Sequence, residues 1–198
     1  MNHKGWHSRG YLPHLDAAEV IQAITFRLAD ALPRKVIDGW RRELERCGTP
    51  EGGQAEQELR ERIARFEDAG HGDCVLRDPS CAEMVQDALL FFDGDRYRLL
   101  EWCVMPNHVH VVVHCRKGTP LGDLVKSWKI HSSRRINQML GRRGSLWALD
   151  YHDRYIRDLD HLANARNYIL RNPVKAGLCR KPEDWPWSSA GYAGTASL

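Results

Sequence analysis

The chain has 198 residues, 42% of them hydrophobic, and a formal net charge of +3, which suits one domain with an ordinary core. Its apolar runs are far shorter than a membrane span and residues 1–7 do not resemble a secretory signal, so we expect a cytoplasmic protein. Six cysteines without a Cys-x-x-Cys pair favour reduced thiols over a disulfide framework. Residues 101–198 hold 15 Lys and Arg against 8 Asp and Glu, whereas residues 1–100 hold 14 against 18. This basic half suggests a phosphate-bearing polymer as partner.

The first half of the chain predicts one strand followed by helices. β-rich alternation predicts a strand over residues 20–29. Helical spacing of apolar residues then predicts helices over 33–47, 54–68 and 81–92, the last capped by Asp78. The stretch 54–68 is highly charged, and we interpret its charge as a solvated face. We therefore expect a single domain over 1–198, with an inserted charged helical stretch at about 33–70.

The second half predicts a hairpin and two further helices. Asp93-Gly94-Asp95 is typical of a hairpin turn before a strand over 97–105, and the next strand carries two histidines. A helix is expected over 121–140, followed by an irregular segment with a short strand over 147–157. The next helix should run from 160 and end near Asn172, because proline lacks the donor that continues a helix. The tail, 179–198, should pack back onto the domain.

The most informative stretch reads Met-Pro-Asn-His-Val-His-Val-Val-Val-His over residues 105–114. On a strand that rises about 3.3 Å per residue, His108 and His110 lie on one face about 7 Å apart at Cα. The three intervening valines then form an apolar face for packing. Two imidazoles on one face can bind one metal ion, although a half-exposed pair without function is the plainer interpretation.

A three-histidine site remains a second possibility, because His114 shares the face of His108 and His110. Three imidazoles would resemble a zinc hydrolase. The position of His114 at the far end of the strand weighs against it.

The late helix presents a polar stripe beside its apolar one. Tyr168 and Asn172 are four residues apart, about 6 Å along a helix and on nearly the same face. A hydroxyl nucleophile and an amide oxygen would thus be presented together. A metal held by two imidazoles and one amide oxygen would keep positions open for a phosphate. Tyr168, whose free pKa is near 10, would need a metal, cation or base to attack phosphorus, and Arg171 and Lys175 are candidates for that help.

Four motifs in order give the chain a resemblance to a known family. They are Ser-Arg-Gly-Tyr-Leu-Pro-His (8–14), Met-Pro-Asn-His-Val-His (105–110), Asp-Arg-Tyr-Ile-Arg-Asp (153–158) and Tyr-Ile-Leu-Arg-Asn-Pro-Val-Lys-Ala-Gly-Leu (168–178). With these motifs the chain resembles, over nearly its whole length, the REP-associated tyrosine transposases of the single-tyrosine HUH class.

The resemblance implies an α+β fold: a ferredoxin-like antiparallel sheet with helices, the histidine motif on a central strand and the catalytic tyrosine on a C-terminal helix. It implies a metal-dependent single-stranded DNA endonuclease and strand transferase that forms a 5′-phosphotyrosine. His108 and His110 would be the metal pair, Tyr168 the nucleophile and Asn172 the third ligand, a position where relatives often have glutamine. The metal would be Mg²⁺ or Mn²⁺, and imidazole ligation suits Mn²⁺ better.

The implied substrate is hairpin-forming repeat DNA, namely repetitive extragenic palindromes, each beside a tetranucleotide guide. Charged side chains should contact phosphates and aromatic ones should contact unstacked bases. The expected DNA-binding residues are His7, Arg9, Tyr11 and His14 for the guide, together with Lys126, Lys129, Arg134, Arg154, Arg171 and Lys175. We expect a bacterial, nucleoid-associated protein, either a monomer or a homodimer that exchanges helices at 141–144. The alternative is a non-catalytic nucleic-acid-binding module of the same fold.

Overall fold

The computed structural model describes residues 5–8, 13–17, 19–47 and 53–193. A four-stranded antiparallel sheet has the order β4-β5-β3-β6, and a two-stranded sheet pairs β1 with β2. Their bounds are β1 Gly5–Ser8, β2 Pro13–Asp16, β3 Ile21–Arg27, β4 Tyr97–Val104, β5 His108–Cys115 and β6 His152–Tyr155.

Within these described ranges the chain forms five α-helices and two short 3₁₀ helices. The α-helices are α1 Arg34–Arg46, α2 Gly53–Asp68, α3 Pro79–Leu90, α4 Leu121–Met139 and α5 Leu159–Lys175. The 3₁₀ helices are Val75–Arg77 and Pro182–Asp184. As predicted, Asp78 caps α3, accepting hydrogen bonds from the backbone of Ser80 and Cys81.

The order of the elements confirms the predicted fold class. Along the chain, the sheet and its helices follow the order β3, α3, β4, β5, α4, β6. The first and third of these strands, β3 and β5, are neighbours at the centre of the sheet. This is the split βαβ arrangement of ferredoxin-like domains. The histidine strand β5 is central, as expected, and pairs antiparallel with both β3 and β4.

The two faces of the sheet have different coverings. Val109, Val111 and Val113 pack in the main core with α3 and α4, where Trp128 is among the largest fully buried side chains. The other face is covered by α5, whose Ile169 packs against β4 and β5. This is also the face to which His108 and His110 point. The alternation along β5 therefore separates packing from chemistry, as predicted.

The helices α1 and α2 have a small core of their own, made by Leu32, Ile37, Leu44, Leu59 and Ile63. The charge of α2 is partly neutralised on its surface, because Arg62 pairs with Glu58 at 2.9 Å and with Glu43 at 3.1 Å. Exposed pairs of this kind contribute little to stability, because water and salt screen them. The stability of this unit therefore comes from its apolar contacts.

The predicted end of the last helix is wrong. Pro173 lies inside α5, which continues to Lys175. The missing proline donor costs one hydrogen bond, but Ala176 N–H donates to Asn172 O at 3.0 Å and Leu178 N–H to Pro173 O at 2.9 Å, so the last turn stays closed. Gly177, at φ +70°, then ends the helix in the left-handed conformation that glycine favours.

The C-terminal segment packs against β4. Val104 N–H donates to Trp187 O at 2.8 Å, and Ser189 N–H donates to Trp102 O at 3.0 Å. The indole of Trp185 donates to Val104 O at 3.0 Å. These bonds cover the backbone of an edge strand that would otherwise be open.

All six cysteines are free thiols. Among the residues that the structure describes, no helix is both long enough and apolar enough to cross a bilayer.

Candidate active site

The two histidines of β5 face each other at the centre of the sheet. His108 is fully buried, His110 is 5% exposed, and their Nε2 atoms are 2.9 Å apart. The Nδ1 atom of each ring has a hydrogen-bond partner: that of His108 is 2.7 Å from Asn107 Oδ1, and that of His110 is 2.8 Å from Thr25 Oγ1. Such bonds fix the ring orientation and leave the two Nε2 atoms directed at the same point.

Both imidazoles are neutral at physiological pH. Burial, together with the nearby charges of His110 and Arg27, holds the pKa of His108 well below its ordinary value. Burial, with a smaller effect of His152, lowers the pKa of His110 to about 3. The neutral imidazole is the form that binds a metal ion.

Asp68 at the end of α2 completes a cluster that sequence reasoning missed. The ligand atoms of Asp68, His108 and His110 all lie within 4.8 Å of one another, and Asp68 Oδ1 is 3.7 Å from His108 Nε2. Burial raises the pKa of Asp68, against the effect of hydrogen bonds from Asn172 and Tyr168. One signal was available in the sequence: a carboxylate is unfavourable in the last turn of a helix, where the dipole is negative, so a cationic partner was to be expected.

The end of α2 is fixed by buried polar contacts. Arg27 donates to Glu67 Oε1 at 3.2 Å, and both side chains are about 5% exposed. The amide of Asn107 donates to Glu67 O at 3.2 Å and to His71 O at 2.9 Å. Asn107 thus contacts both the His108 ring and the backbone on either side of Asp68, so it holds the two side chains in a fixed relative position.

Helix α5 brings Tyr168 and Asn172 to the same cluster. The Tyr168 hydroxyl donates to Asp68 Oδ2 at 3.4 Å, and its ring centroid is 5.5 Å from that of His110. Asn172 Nδ2 is 2.7 Å from His110 Nε2 and 3.4 Å from Asp68 Oδ1. The one-turn spacing predicted from the sequence therefore places both side chains beside the histidine pair.

An ion pair between the exposed Arg166 and the buried Glu101 holds α5 in this position. Arg166 donates through Nε to Glu101 Oε1 at 2.6 Å, and Ser189 donates to Glu101 Oε2 at 2.5 Å. Glu101, on β4, is only 4% exposed. The contact joins the helix, the sheet and the C-terminal segment, so Tyr168 is presented by a rigid support.

The Tyr168 phenol remains protonated at neutral pH in this environment. Burial and the negative charges of Asp68 and Glu67 raise its pKa above the ordinary value. The Lys175 ammonium lies 5.0 Å from the centre of the Tyr168 ring. Arg171, also suggested for this role, is exposed on α5.

The residues present fit a divalent metal ion. Asn172 Oδ1 is buried and has no hydrogen-bond partner among the described residues. Since amide nitrogen and oxygen are assigned from surroundings, a half-turn of this amide would direct Oδ1 at His110 Nε2 and at Asp68. Two imidazole nitrogens, one carboxylate and one amide oxygen then form a mixed donor set, which suits Mn²⁺ better than Mg²⁺.

His114 is not part of this cluster. Four residues along a strand separate it from His110 by about 13 Å. In the described parts of the chain the group with metal-binding geometry is Asp68, His108 and His110. The three-histidine arrangement is therefore wrong as a description of the geometry, because strand spacing allows two neighbouring imidazoles but not the third to reach one point.

The site opens into a cleft of about 450 Å³ between α2, α5 and the β3–β6 side of the sheet. Both His110 and Tyr168 line it. Polar side chains of four elements line it: Thr25 and Arg27 of β3, Gln57, Arg60, Glu61 and Glu67 of α2, His152 and Arg154 of β6, and His161 and Asn164 of α5.

The predicted DNA-binding residues fall in different places. Arg154 lines the cleft, and Arg171 and Lys175 are exposed on α5. Lys126 and Arg134 are exposed on α4, on the opposite side of the sheet from the histidine pair. Arg9 and Tyr11 lie outside the described residues, and of His7 only the backbone is described, paired with His14.

Lys129 is engaged inside the protein. Its ammonium donates to Ala148 O and to Asp150 O, each at 3.0 Å. Burial lowers its pKa to about 8. With its donors used to hold this loop, Lys129 is not placed to contact a phosphate, and its predicted role is corrected to a structural one.

His14 is fully buried between two carboxylates, so its expected contact with DNA is not available in this structure. Its Nε2 is 2.9 Å from Asp150 Oδ1, and its Nδ1 is hydrogen-bonded to Asp153. Burial lowers the pKa of His14, but the hydrogen bonds and charges of both aspartates outweigh burial and raise it to about 9.

The free energy of unfolding should report this charge. Because the folded pKa of His14 exceeds the unfolded value, its contribution is complete below about pH 6.5 and is lost as pH rises through about 9. We expect His14→Gln to cost up to about 3 kcal/mol near pH 6, and clearly less near pH 9.5. Urea unfolding of both proteins at the two pH values measures the difference. An equal cost at both values would contradict the assignment.

Known proteins resemble this chain in sequence and in fold. Residues 81–172, which include β4, β5 and most of α5, match the model of the family described as "Transposase IS200 like".

Two curated proteins are also similar to this chain in sequence. The REP-associated tyrosine transposase of Escherichia coli K12 is 25% identical over 108 residues, which are 54% of this chain and 63% of that protein. A Haemophilus influenzae protein, provisionally named as the same kind of transposase, is 28% identical over 97 residues, 44% of this chain and 55% of its own length. The alignments thus cover less than two thirds of either relative.

A solved structure supports the fold. The structure described as the REP-associated tyrosine transposase bound to a REP hairpin matches with a TM-score of 0.57 at 16% identity, covering 91% of this chain and 82% of that one. The chain is thus similar to the REP-associated tyrosine transposases, and the resemblance predicted from its motifs is confirmed.

Proposed function

We propose that this chain is a metal-dependent single-stranded DNA endonuclease and strand transferase that acts on hairpin-forming repeat DNA through a 5′-phosphotyrosine. The supporting observation is the convergence of Tyr168, Asn172, Asp68 and the His108–His110 pair at one end of an open cleft. The relatives named as transposases, and the REP hairpin bound to the structurally similar transposase, support the choice of substrate.

In the proposed reaction, Tyr168 Oη attacks phosphorus and the bond to the 3′ oxygen breaks. The phenol proton leaves along the hydrogen bond to Asp68 Oδ2, and the departing 3′ oxygen takes a proton to become a free hydroxyl. Asp68 thus presents one oxygen to the phenol and the other to the histidine side of the cluster. The phosphotyrosine keeps the energy of the broken diester, so a second 3′ hydroxyl can rejoin the strand without ATP.

His108, His110, Asn172 and Asp68 would hold the divalent ion, either Mg²⁺ or Mn²⁺. When bound, the ion would stabilise the charge that develops on the phosphoryl oxygens, which is worth several kcal/mol. The protein would act in the bacterial cytoplasm at the nucleoid, as a monomer or homodimer.

The test is incubation of the protein with an end-labelled hairpin oligonucleotide and Mn²⁺. We expect a covalent protein–DNA adduct, resistant to denaturation, on the fragment that carries the new 5′ phosphate, and release of the other fragment with a free 3′ hydroxyl. Salt-sensitive binding without cleavage would instead indicate a non-catalytic nucleic-acid-binding module. Cleavage without an adduct would indicate a hydrolase.

The ligand set makes a further prediction. Asp68→Ala should weaken Mn²⁺ binding and slow cleavage by about 10- to 100-fold, whereas His114→Ala should change neither. Calorimetric titration of each variant with Mn²⁺, and cleavage rates at saturating metal, measure the two effects. If His114→Ala lost as much metal affinity as His108→Ala, the three-histidine site of a zinc hydrolase would replace the one proposed.

A further inference from the structure

The cleft extends away from the reacting groups along two facing helices. Its α2 wall runs from Gln57 to Glu67, about 15 Å at 1.5 Å per residue, and its α5 wall runs from His161 to Tyr168, about 10 Å. Asp68 and Tyr168 both lie at the C-terminal end of these walls. The cleft therefore begins at the site and continues past it by about two helical turns.

Positive charge lies along this extension. Arg60 of α2 and Arg154 of β6 both line the cleft. The pKa of His152 is lowered to about 4, mainly by burial and further by the charges of these two arginines. The two guanidinium groups therefore lie near the same part of the wall. Two carboxylates also line the cleft: Glu67 is paired with Arg27, and Glu61 accepts a hydrogen bond from Gln57 at 3.1 Å.

The acidic side chains of α2 are partly engaged elsewhere. Glu58 accepts a hydrogen bond from Arg62 at 2.9 Å and also lies 3.6 Å from Arg65. Neither Glu58 nor Arg65 lines the cleft. The helix thus has an ion-paired outer surface, with Arg60 and Glu61 on its inner one.

The remaining lining suits bases. Ile63 and Ala64 of α2 face Ala165 and Ile169 of α5. Imidazole rings of His152 and His161 are also present. Unstacked bases bind apolar and flat side chains while phosphates bind cations, and the cleft offers both along one path.

We propose that the inserted helix α2 forms one wall of a single-strand channel, in which Arg60 and Arg154 bind phosphates of the strand next to the scissile one. This inference rests on the proposed function, since it names the path of the same substrate. It gives the insertion two roles: its last residue joins the metal cluster, and its inner face guides the strand. The contact between Glu67 and Arg27, which both line the cleft, fixes the end of α2 that carries Asp68 to the sheet.

The experiment measures DNA binding in a Tyr168→Phe background, so that cleavage does not interfere. Fluorescence anisotropy compares a blunt hairpin with the same hairpin carrying a single-stranded extension on either side. Arg60→Ala and Arg154→Ala should each weaken binding of one extended hairpin by about 5- to 10-fold, and each should reduce the slope of log K against log salt by about 0.7. Binding of the blunt hairpin should be unchanged.

Arg65→Ala is the matched control, because it removes an arginine from the same helix outside the cleft, and it should change neither affinity nor slope. Wild-type affinity and slope in the Arg60→Ala/Arg154→Ala double variant would overturn the channel. So would an equal loss of affinity for the blunt hairpin. The proposed function is judged separately by adduct formation in the protein with Tyr168 intact, so either can fail alone.

Discussion

Replacing Tyr168 with phenylalanine is expected to abolish the covalent adduct and to slow strand cleavage by at least about 10⁴-fold, the order of loss when a covalent nucleophile is removed. The variant keeps the ring that packs against His110 and loses one hydrogen bond of 3.4 Å to Asp68. Its free energy of unfolding should therefore change by less than about 1 kcal/mol. Denaturing electrophoresis with an end-labelled hairpin measures adduct and cleavage together.

Tyr155→Phe is the matched control for this loss. Tyr155 is 38% exposed on β6 and carries a hydroxyl that the proposed reaction does not use. The control should form the adduct at the normal rate. If Tyr168→Phe formed the same adduct, another group would be the nucleophile and the role of α5 would have to be reassigned.

His110→Gln and His108→Gln should each reduce divalent-dependent cleavage by about 10³-fold, which corresponds to several kcal/mol of transition-state stabilisation. Both rings are buried with their Nε2 atoms 2.9 Å apart, so loss of either removes half of the nitrogen donors. Glutamine limits the cavity that alanine would leave. The measurement is the cleavage rate as a function of Mn²⁺ concentration, together with calorimetric Mn²⁺ affinity.

His131→Gln provides the control for the histidine variants, because His131 is exposed on α4, on the other side of the sheet. It should cleave normally. Unchanged metal affinity in both His108→Gln and His110→Gln would remove the metal centre from the proposed site. Reduced cleavage with intact metal binding would instead assign the histidines to phosphate binding.

The features that the sequence predicted well are those that depend on residue spacing within a single strand or helix. Alternation of Val109, Val111 and Val113 with His108 and His110 set the two faces of β5, and the structure places the valines in the main core. The four-residue spacing of Tyr168 and Asn172 likewise determined their common face on α5. Such periodicity depends on geometry within one element, which the sequence contains.

The missed features depend on contacts between distant parts of the chain. Asp68 is 40 residues from His108 in the sequence, and its place in the cluster is set by the packing of α2 and the ion pair of Glu67 with Arg27. The sequence predicted His14 and Lys129 as DNA-contacting residues on the surface. In the structure both contact Asp150 instead: His14 contacts its carboxylate, and Lys129 contacts its backbone carbonyl. For Pro173 a local rule was applied too strictly, since a proline near the end of a helix removes only one bond.

The measurement that tests the central claim most directly is peptide mapping of the adduct by mass spectrometry. After nuclease trimming and trypsin digestion, we expect a residual nucleotide 5′-phosphate on the peptide of residues 167–171, attached to Tyr168. The same nucleotide on a peptide carrying a different tyrosine, such as Tyr151 or Tyr155, would contradict it.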